Sequence, residues 1–245
     1  MANPILNENF GTAGERVLES EPMTLSGTIN KIAILFLLVI VGAYCAWNSF
    51  SLGYTDRVSI LTTVGFIVSL LLGFIIPFVP TWAPVLSPVY ALAEGLLLGG
   101  ISAMFEKAYP GIVIQATIGT FAALGTMLAL YKFKIIRCTE RFKSTVFTAM
   151  MAVFLIYLID IIASFFGRGI PLINGNGIIG IVFSLVVIAI ASFCLIVDFS
   201  YIEEGSNKML PKYYEWYGAY GLMVTLIWLY FEMLKLFAKL NSRNG

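Results

Sequence analysis

The sequence predicts an all-α, multipass membrane bundle of about seven transmembrane helices, on three observations. Apolar residues make up 59% of the 245-residue chain, charged residues only 12%, and the mean hydropathy is +0.90. A soluble domain of this length needs a far more polar exterior, so lipid covers most of this one. Charge-free windows recur along the chain, and a span needs about 20 apolar residues. A group of prolines then divides the longest window into two helices.

Taken in order, the window Ile32–Thr55 gives a first span over 31–50. Val58–Ala93 is long enough for one helix, a turn and most of another. Pro77, Pro80 and Pro84, with Trp82 among them, supply the turn and leave spans over 58–79 and 84–105. Ala108–Tyr131 gives 110–131. A window broken by Asp160 gives 145–166, Gly169–Val197 gives 177–200, and a last window broken by the acid Glu232 gives 216–238. The resulting organisation is an N-terminal tail over 1–30, a bundle over 31–240 and a short polar tail over 241–245, with no room for a second globular domain.

Basic residues set the expected orientation. With the N-terminus inside, the inner segments carry Arg16, Lys31, Lys132, Lys134, Arg137, Arg141, Lys143, Lys208 and Lys212, against Arg57, Lys107 and Arg168 outside. That asymmetry favours a cytoplasmic N-terminus. Lys235, Lys239 and Arg243 oppose it, because an odd number of spans puts them outside unless the last helix enters without fully crossing. The tail holds Glu8, Glu15, Glu19 and Glu21 and lacks the basic start of a signal peptide, which reads as an uncleaved cytoplasmic segment. Tyr44 directly before Cys45 is too large for a lipoprotein cleavage site.

A net charge of +1 gives no reason to expect nucleic acid as a partner. Cys45, Cys138 and Cys194 are scattered and read as free thiols. The absence of histidine excludes a Ser-His-Asp triad, an HExxH metalloprotease and a haem-ligating histidine. Asp160 precedes Ile161-Ile162 and Asp198 precedes Phe199-Ser200, neither the Gly-x-Gly-Asp setting of an intramembrane aspartyl protease. Lys235 lies near a helix end, an interfacial anchor rather than a retinal lysine. The chain therefore reads as a non-enzyme, with no cofactor beyond a transported or bound ion.

Four acids inside the spans carry the functional reading: Glu94, Asp160, Asp198 and Glu232. A carboxylate near the bilayer centre costs roughly 2.5–3.5 kcal/mol on insertion scales, so such groups are paired, hidden in the bundle or used. Few basic residues are placed to neutralise them, which leaves protonation or a bound cation to manage the charge. On the sixth span Gly180, Ser184, Val187, Ala191, Cys194 and Asp198 share a stripe; on the last, Gly218, Gly221, Thr225, Trp228, Glu232 and Lys235 do. Either stripe also fits close helix packing with its acid snorkelling to water. Glu94 sits mid-span beside Gly95, Gly99 and Gly100, and fits a packed seam or a polar cavity reachable by cations. Asp160, late in the fifth span, fits a structural or outer-mouth role.

The segments IVDFSYIEEG at 196–205 and YFEMLKLF at 230–237 resemble the two acid-bearing segments of the transmembrane Bax inhibitor motif family. The tail MANPILNENF, the MTLSGTINK entry to the first helix and PKYYEWYGAYGL resemble one bacterial branch of that family. The resemblance, covering roughly 30–240, implies a bundle whose C-terminal helix is central, in a bacterial inner membrane. It also implies a proton-sensitive carboxylate pair controlling calcium passage, with Asp198 and Glu232 in the two positions and as candidate calcium ligands; Glu94 and Asp160 are candidates for a cation pathway on their place in the spans alone, since the resemblance assigns neither. Two departures stand out: the seventh-helix acid is a glutamate, and the segment between the acids is longer. Thirty-four residues separate them. With the turn near Gly205–Pro211 their depths differ by roughly 20 Å unless Pro211–Trp216 is largely loop or interfacial helix, or the sixth helix runs past Asp198.

The expected function is a pH-responsive cation leak or channel. Calcium identity rests on the resemblance, since the acids alone suit protons or sodium equally. The alternative is a non-conducting membrane protein that binds and modulates membrane proteases or stress machinery, its acids serving as packing elements. The expected partners are the lipid bilayer, calcium ions or protons, and in the alternative other membrane proteins.

Overall fold

A computed structural model of the chain describes residues 21–167, 170, 173, 175 and 177–244. The first twenty residues, with Arg16 and the tail acids Glu8, Glu15 and Glu19, lie outside the described residues, as does Arg168. Among the described residues seven long helices follow one another: α1 Leu25–Ser51, α2 Thr55–Phe78, α3 Ala83–Ala108, α4 Ile112–Lys132, α5 Glu140–Phe165, α6 Ile178–Asn207 and α7 Tyr214–Asn244. All seven are long and apolar enough to cross a membrane. The protein is a multipass membrane bundle.

Local chemistry sets the ends. Thr24 and Thr139 cap α1 and α5, their side chains accepting from the amides of Gly27 and Phe142. The Glu106 carboxylate, at the end of α3, accepts from the amides of Gly111 (2.6 Å) and Val113 (3.1 Å), placing a negative charge at the N-terminus of α4. Between α2 and α3 the prolines act as expected: α2 stops at Phe78 and a 3-10 turn covers Pro80–Trp82. The largest departures from the predicted spans are the early start of α1 and α5 and the late ends of α6 and α7. These polar turns need not be apolar to remain helical, because caps and ion pairs satisfy them outside the hydrocarbon.

Packing divides into a tight trio and a central pillar. Where α1 crosses α3, a Cβ on Gly95 would collide with the Val39 carbonyl and lie 3.0 Å from the Cα of Gly42; a Cβ on Gly100 would strike Thr62 of α2. The glycines thus permit backbone contact on two sides of α3. α7 packs against α1, α3, α4 and α6, which makes the C-terminal helix central. α5 packs on α6 and exposes Phe147, Phe154 and Leu155 to lipid.

One end of the bundle is strapped. The Met23 amide donates to the Leu210 carbonyl at 2.7 Å, and Pro22 bridges to Pro211 in the α6–α7 connection. Glu215, 1% exposed, accepts from the Thr24 amide and hydroxyl, both at 3.0 Å, and pairs with Lys31 at 3.1 Å. The entry to α1 and the start of α7 are therefore one unit.

Candidate functional site: buried acids around the last helix

The register of the α6–α7 hairpin decides which groups meet. Lys239 Nζ, buried near the end of α7, donates to the Gly180 carbonyl at 3.0 Å and to Ser184 Oγ at 2.9 Å. Farther along, the polar neighbour of Asp198 on α7 is Thr225. The register that sets Ser184 against Lys239 and Asp198 against Thr225 sets Ala191, midway, against Glu232. Seven residues separate Thr225 from Glu232, about 10 Å along the axis. The structure does not bring Asp198 and Glu232 together.

The physical reason lies in the lengths of the two helices. α6 continues past Asp198 to Asn207, while α7 is already helical at Tyr214, so Glu232 lies deeper from the turn than Asp198 does. The sixth helix does run on, one of the two conditions for contact, but not far enough to close the gap. Nor do the two acids form a shared calcium site. Among the described residues no three His, Cys, Asp or Glu side chains gather into a metal-binding group.

Glu232 instead has its own partners. It is 1% exposed, accepts from the Tyr157 hydroxyl at 2.9 Å and pairs with Lys235 at 3.0 Å. The Lys235 ammonium also lies 4.5 Å from the centre of the Tyr157 ring. Lys235, expected as an interfacial anchor, is thus the counterion of a buried acid, and with Tyr157 it joins α5 to α7. The spacing of three residues between Glu232 and Lys235 was the available signal.

Asp198 is the acid left incompletely satisfied. Its Oδ2 is buried and has no hydrogen-bond partner among the described residues. It borders a cavity of about 440 Å³ lined by Met23, Tyr201, Gly205, Tyr214, Tyr217, Tyr220 and Gly221, among others. Glycines at 205, 218 and 221 leave that volume open, and the strap residue Met23 forms part of its wall.

On another flank of α7 lies a second cavity, of about 320 Å³, bordered by Glu94, Ser69, Gly73, Tyr90, Tyr220 and Val224. Glu94 is 6% exposed, with Ser69 and Tyr90 as its hydrogen-bonding neighbours. Gly95 and Gly99 face α1 and Gly100 faces α2, so the close seam and the polar cavity coexist on one helix. Tyr220 lines both cavities; its hydroxyl donates to the Gly73 carbonyl at 3.1 Å and its ring meets Tyr90 edge-on at 5.0 Å. Along α7 the first cavity is lined from Tyr214 to Gly221 and the second by Tyr220 and Val224. Tyr220 is thus the residue common to the cavities of Asp198 and Glu94.

Asp160 accepts from the Ile170 amide at 2.7 Å, at the α5–α6 connection. It borders neither the Asp198 nor the Glu94 cavity. The sequence reading did not assign Tyr220, Tyr157, Ser69 or Lys239. The tyrosines at 213, 214, 217 and 220 in PKYYEWYGAYGL were a visible helical series, but only packing shows which of them faces an acid.

No curated protein and no solved structure matches the chain significantly. A sequence model described as Bax inhibitor 1 like matches residues 3–242, nearly the full length, and the chain belongs to that family.

Proposed function

We propose that this protein is a pH-responsive cation leak, with calcium as its physiological ion, seated in a bacterial inner membrane with the N-terminus in the cytoplasm. The observation that carries the reading is Asp198: a buried carboxyl oxygen without a hydrogen-bond partner among the described residues, at the edge of a cavity inside a membrane bundle. Such a group is managed by a proton or by a cation, and the two compete for it. Calcium takes hard oxygen ligands, which Asp198, Glu94 and the hydroxyls around them supply. Family membership supports calcium over sodium. In this reading ions pass beside α7 from the Asp198 cavity to the Glu94 cavity, and Tyr220 is the constriction. Glu232, neutralised by Lys235, positions α5 against α7.

The test is ion flux from purified protein in liposomes across pH. Asp198→Asn is expected to change both the leak rate and its pH response. Glu94→Gln, which keeps shape and hydrogen bonding, is expected to reduce flux while leaving thermal stability nearly unchanged. Flux indifferent to both substitutions, or none at any pH, would overturn the proposal in favour of a non-conducting module acting on membrane proteases or stress machinery.

A further inference from the structure

A larger cavity, of about 710 Å³, opens at the strapped end of the bundle among α1, α4, α6 and α7, meeting the Asp198 cavity at Ile202 and sharing no lining residue with the Glu94 cavity. Its walls differ in character along their length. Ile29, Ile32, Leu124, Leu128 and Leu222 make an apolar crevice. At the mouth stand Lys132, Lys134 and Arg137, all exposed and none in a salt bridge among the described residues. From Leu124 to Lys132 the crevice follows about two turns of α4, roughly 12 Å from apolar floor to basic rim.

The loop that carries the cations is built irregularly. α4 ends in a Schellman motif: the Lys134 amide donates to the Tyr131 carbonyl (2.9 Å) and the Ile135 amide to the Leu130 carbonyl (3.0 Å). The left-handed position of that motif is normally glycine, yet here it is Lys134, with φ 56°. Lys134 at that position lines the crevice. In Lys132-Phe133-Lys134-Ile135-Ile136-Arg137 basic and apolar side chains are interleaved, with Phe133 72% and Ile135 68% exposed. Such a segment lies at the boundary between headgroups and acyl chains. One carboxylate, Glu203, shares the rim; it accepts from the Tyr131 hydroxyl and leaves the rim net positive.

We propose that this crevice binds an anionic phospholipid, an acyl chain lying between α1 and α4 and the headgroup phosphate held by Lys132, Lys134 and Arg137. The argument is charge complementarity joined to depth: cations without a salt bridge among the described residues at the interface end, and an apolar groove running inward. A free phosphate would use only the rim, and a zwitterionic lipid would gain little net attraction there.

The test uses full-length protein in neutral detergent. Native mass spectrometry counts retained phosphatidylglycerol against phosphatidylcholine, and peptide mapping follows alkylation of Cys138, which lines the same crevice. Wild type is expected to retain phosphatidylglycerol preferentially and to show slowed Cys138 alkylation in its presence. K132Q/K134Q/R137Q is expected to lose about a hundredfold in affinity at low salt. L124W, which fills the crevice and keeps every cation, is expected to lose lipid retention as well. K134G suits the left-handed backbone and removes one charge, so it must weaken binding even if the triple variant fails to fold. Equal retention of the two lipids, protection of Cys138 by inorganic phosphate as strong as by phosphatidylglycerol, or undiminished binding in K134G would each overturn the proposal.

Discussion

Removing the ammonium of Lys235 is expected to destabilise the protein more than removing the charge of its partner. Glu232 is 1% exposed, whereas Lys235 is 43% exposed. In K235M the carboxylate keeps the Tyr157 hydroxyl but loses its counterion. Breaking a buried pair from one side costs about 3–5 kcal/mol. Lysine's exposure, and the field of nearby Lys239, place this case near the lower end, about 3 kcal/mol. In E232Q the amide oxygen still accepts from Tyr157 and Lys235 relaxes into water, so the loss is about 1 kcal/mol or less. Adding E232Q to K235M should therefore recover much of the loss, a coupling of about 2 kcal/mol. Thermal unfolding in detergent micelles measures it: on the soluble-protein scale K235M lowers the midpoint by roughly 6–12 °C and E232Q by no more than about 4 °C. A K235M midpoint equal to that of E232Q, or a double variant no more stable than K235M, would refute the reasoning.

Because Asp198 faces Thr225 while Glu232 is held by Lys235 and Tyr157, D198N and E232Q should affect the logarithm of ion flux additively; marked non-additivity in liposomes would mean the two acids meet in some state. Tyr220→Ala removes the ring shared by the Asp198 and Glu94 cavities and should raise the leak rate, with Tyr220→Phe close to wild type; an unchanged rate in the alanine variant would remove Tyr220 from the path. Gly95→Val forces α3 away from the Val39 carbonyl of α1 and should lower stability by about 1–3 kcal/mol, read as a fall in the unfolding midpoint.

Much of this protein is determined by composition and by local chemistry. Seven spans were legible because a bilayer has a fixed thickness and admits no unpaired backbone, so charge-free stretches of helical length leave few alternatives. Pro77 to Pro84 marked the α2–α3 turn because proline cannot continue a helix at an arbitrary position. On the α6 stripe Ser184 and Asp198 do face α7, where they meet Lys239, which lies outside the expected α7 stripe, and Thr225, which lies on it. What periodicity cannot supply is the offset between two stripes. A helix repeats every few residues, so a hairpin shifted by two turns presents the same faces with different partners. The lengths of α6 and α7, and the strap that ties Glu215 to Thr24 and Lys31, settle that offset. Only the tertiary structure gave Glu232 to Tyr157 on α5, left Asp198 open to its cavity and set Tyr220 in the walls of both the Asp198 and the Glu94 cavities, since each contact joins residues far apart in the chain and depends on the depth at which separate helices come to rest.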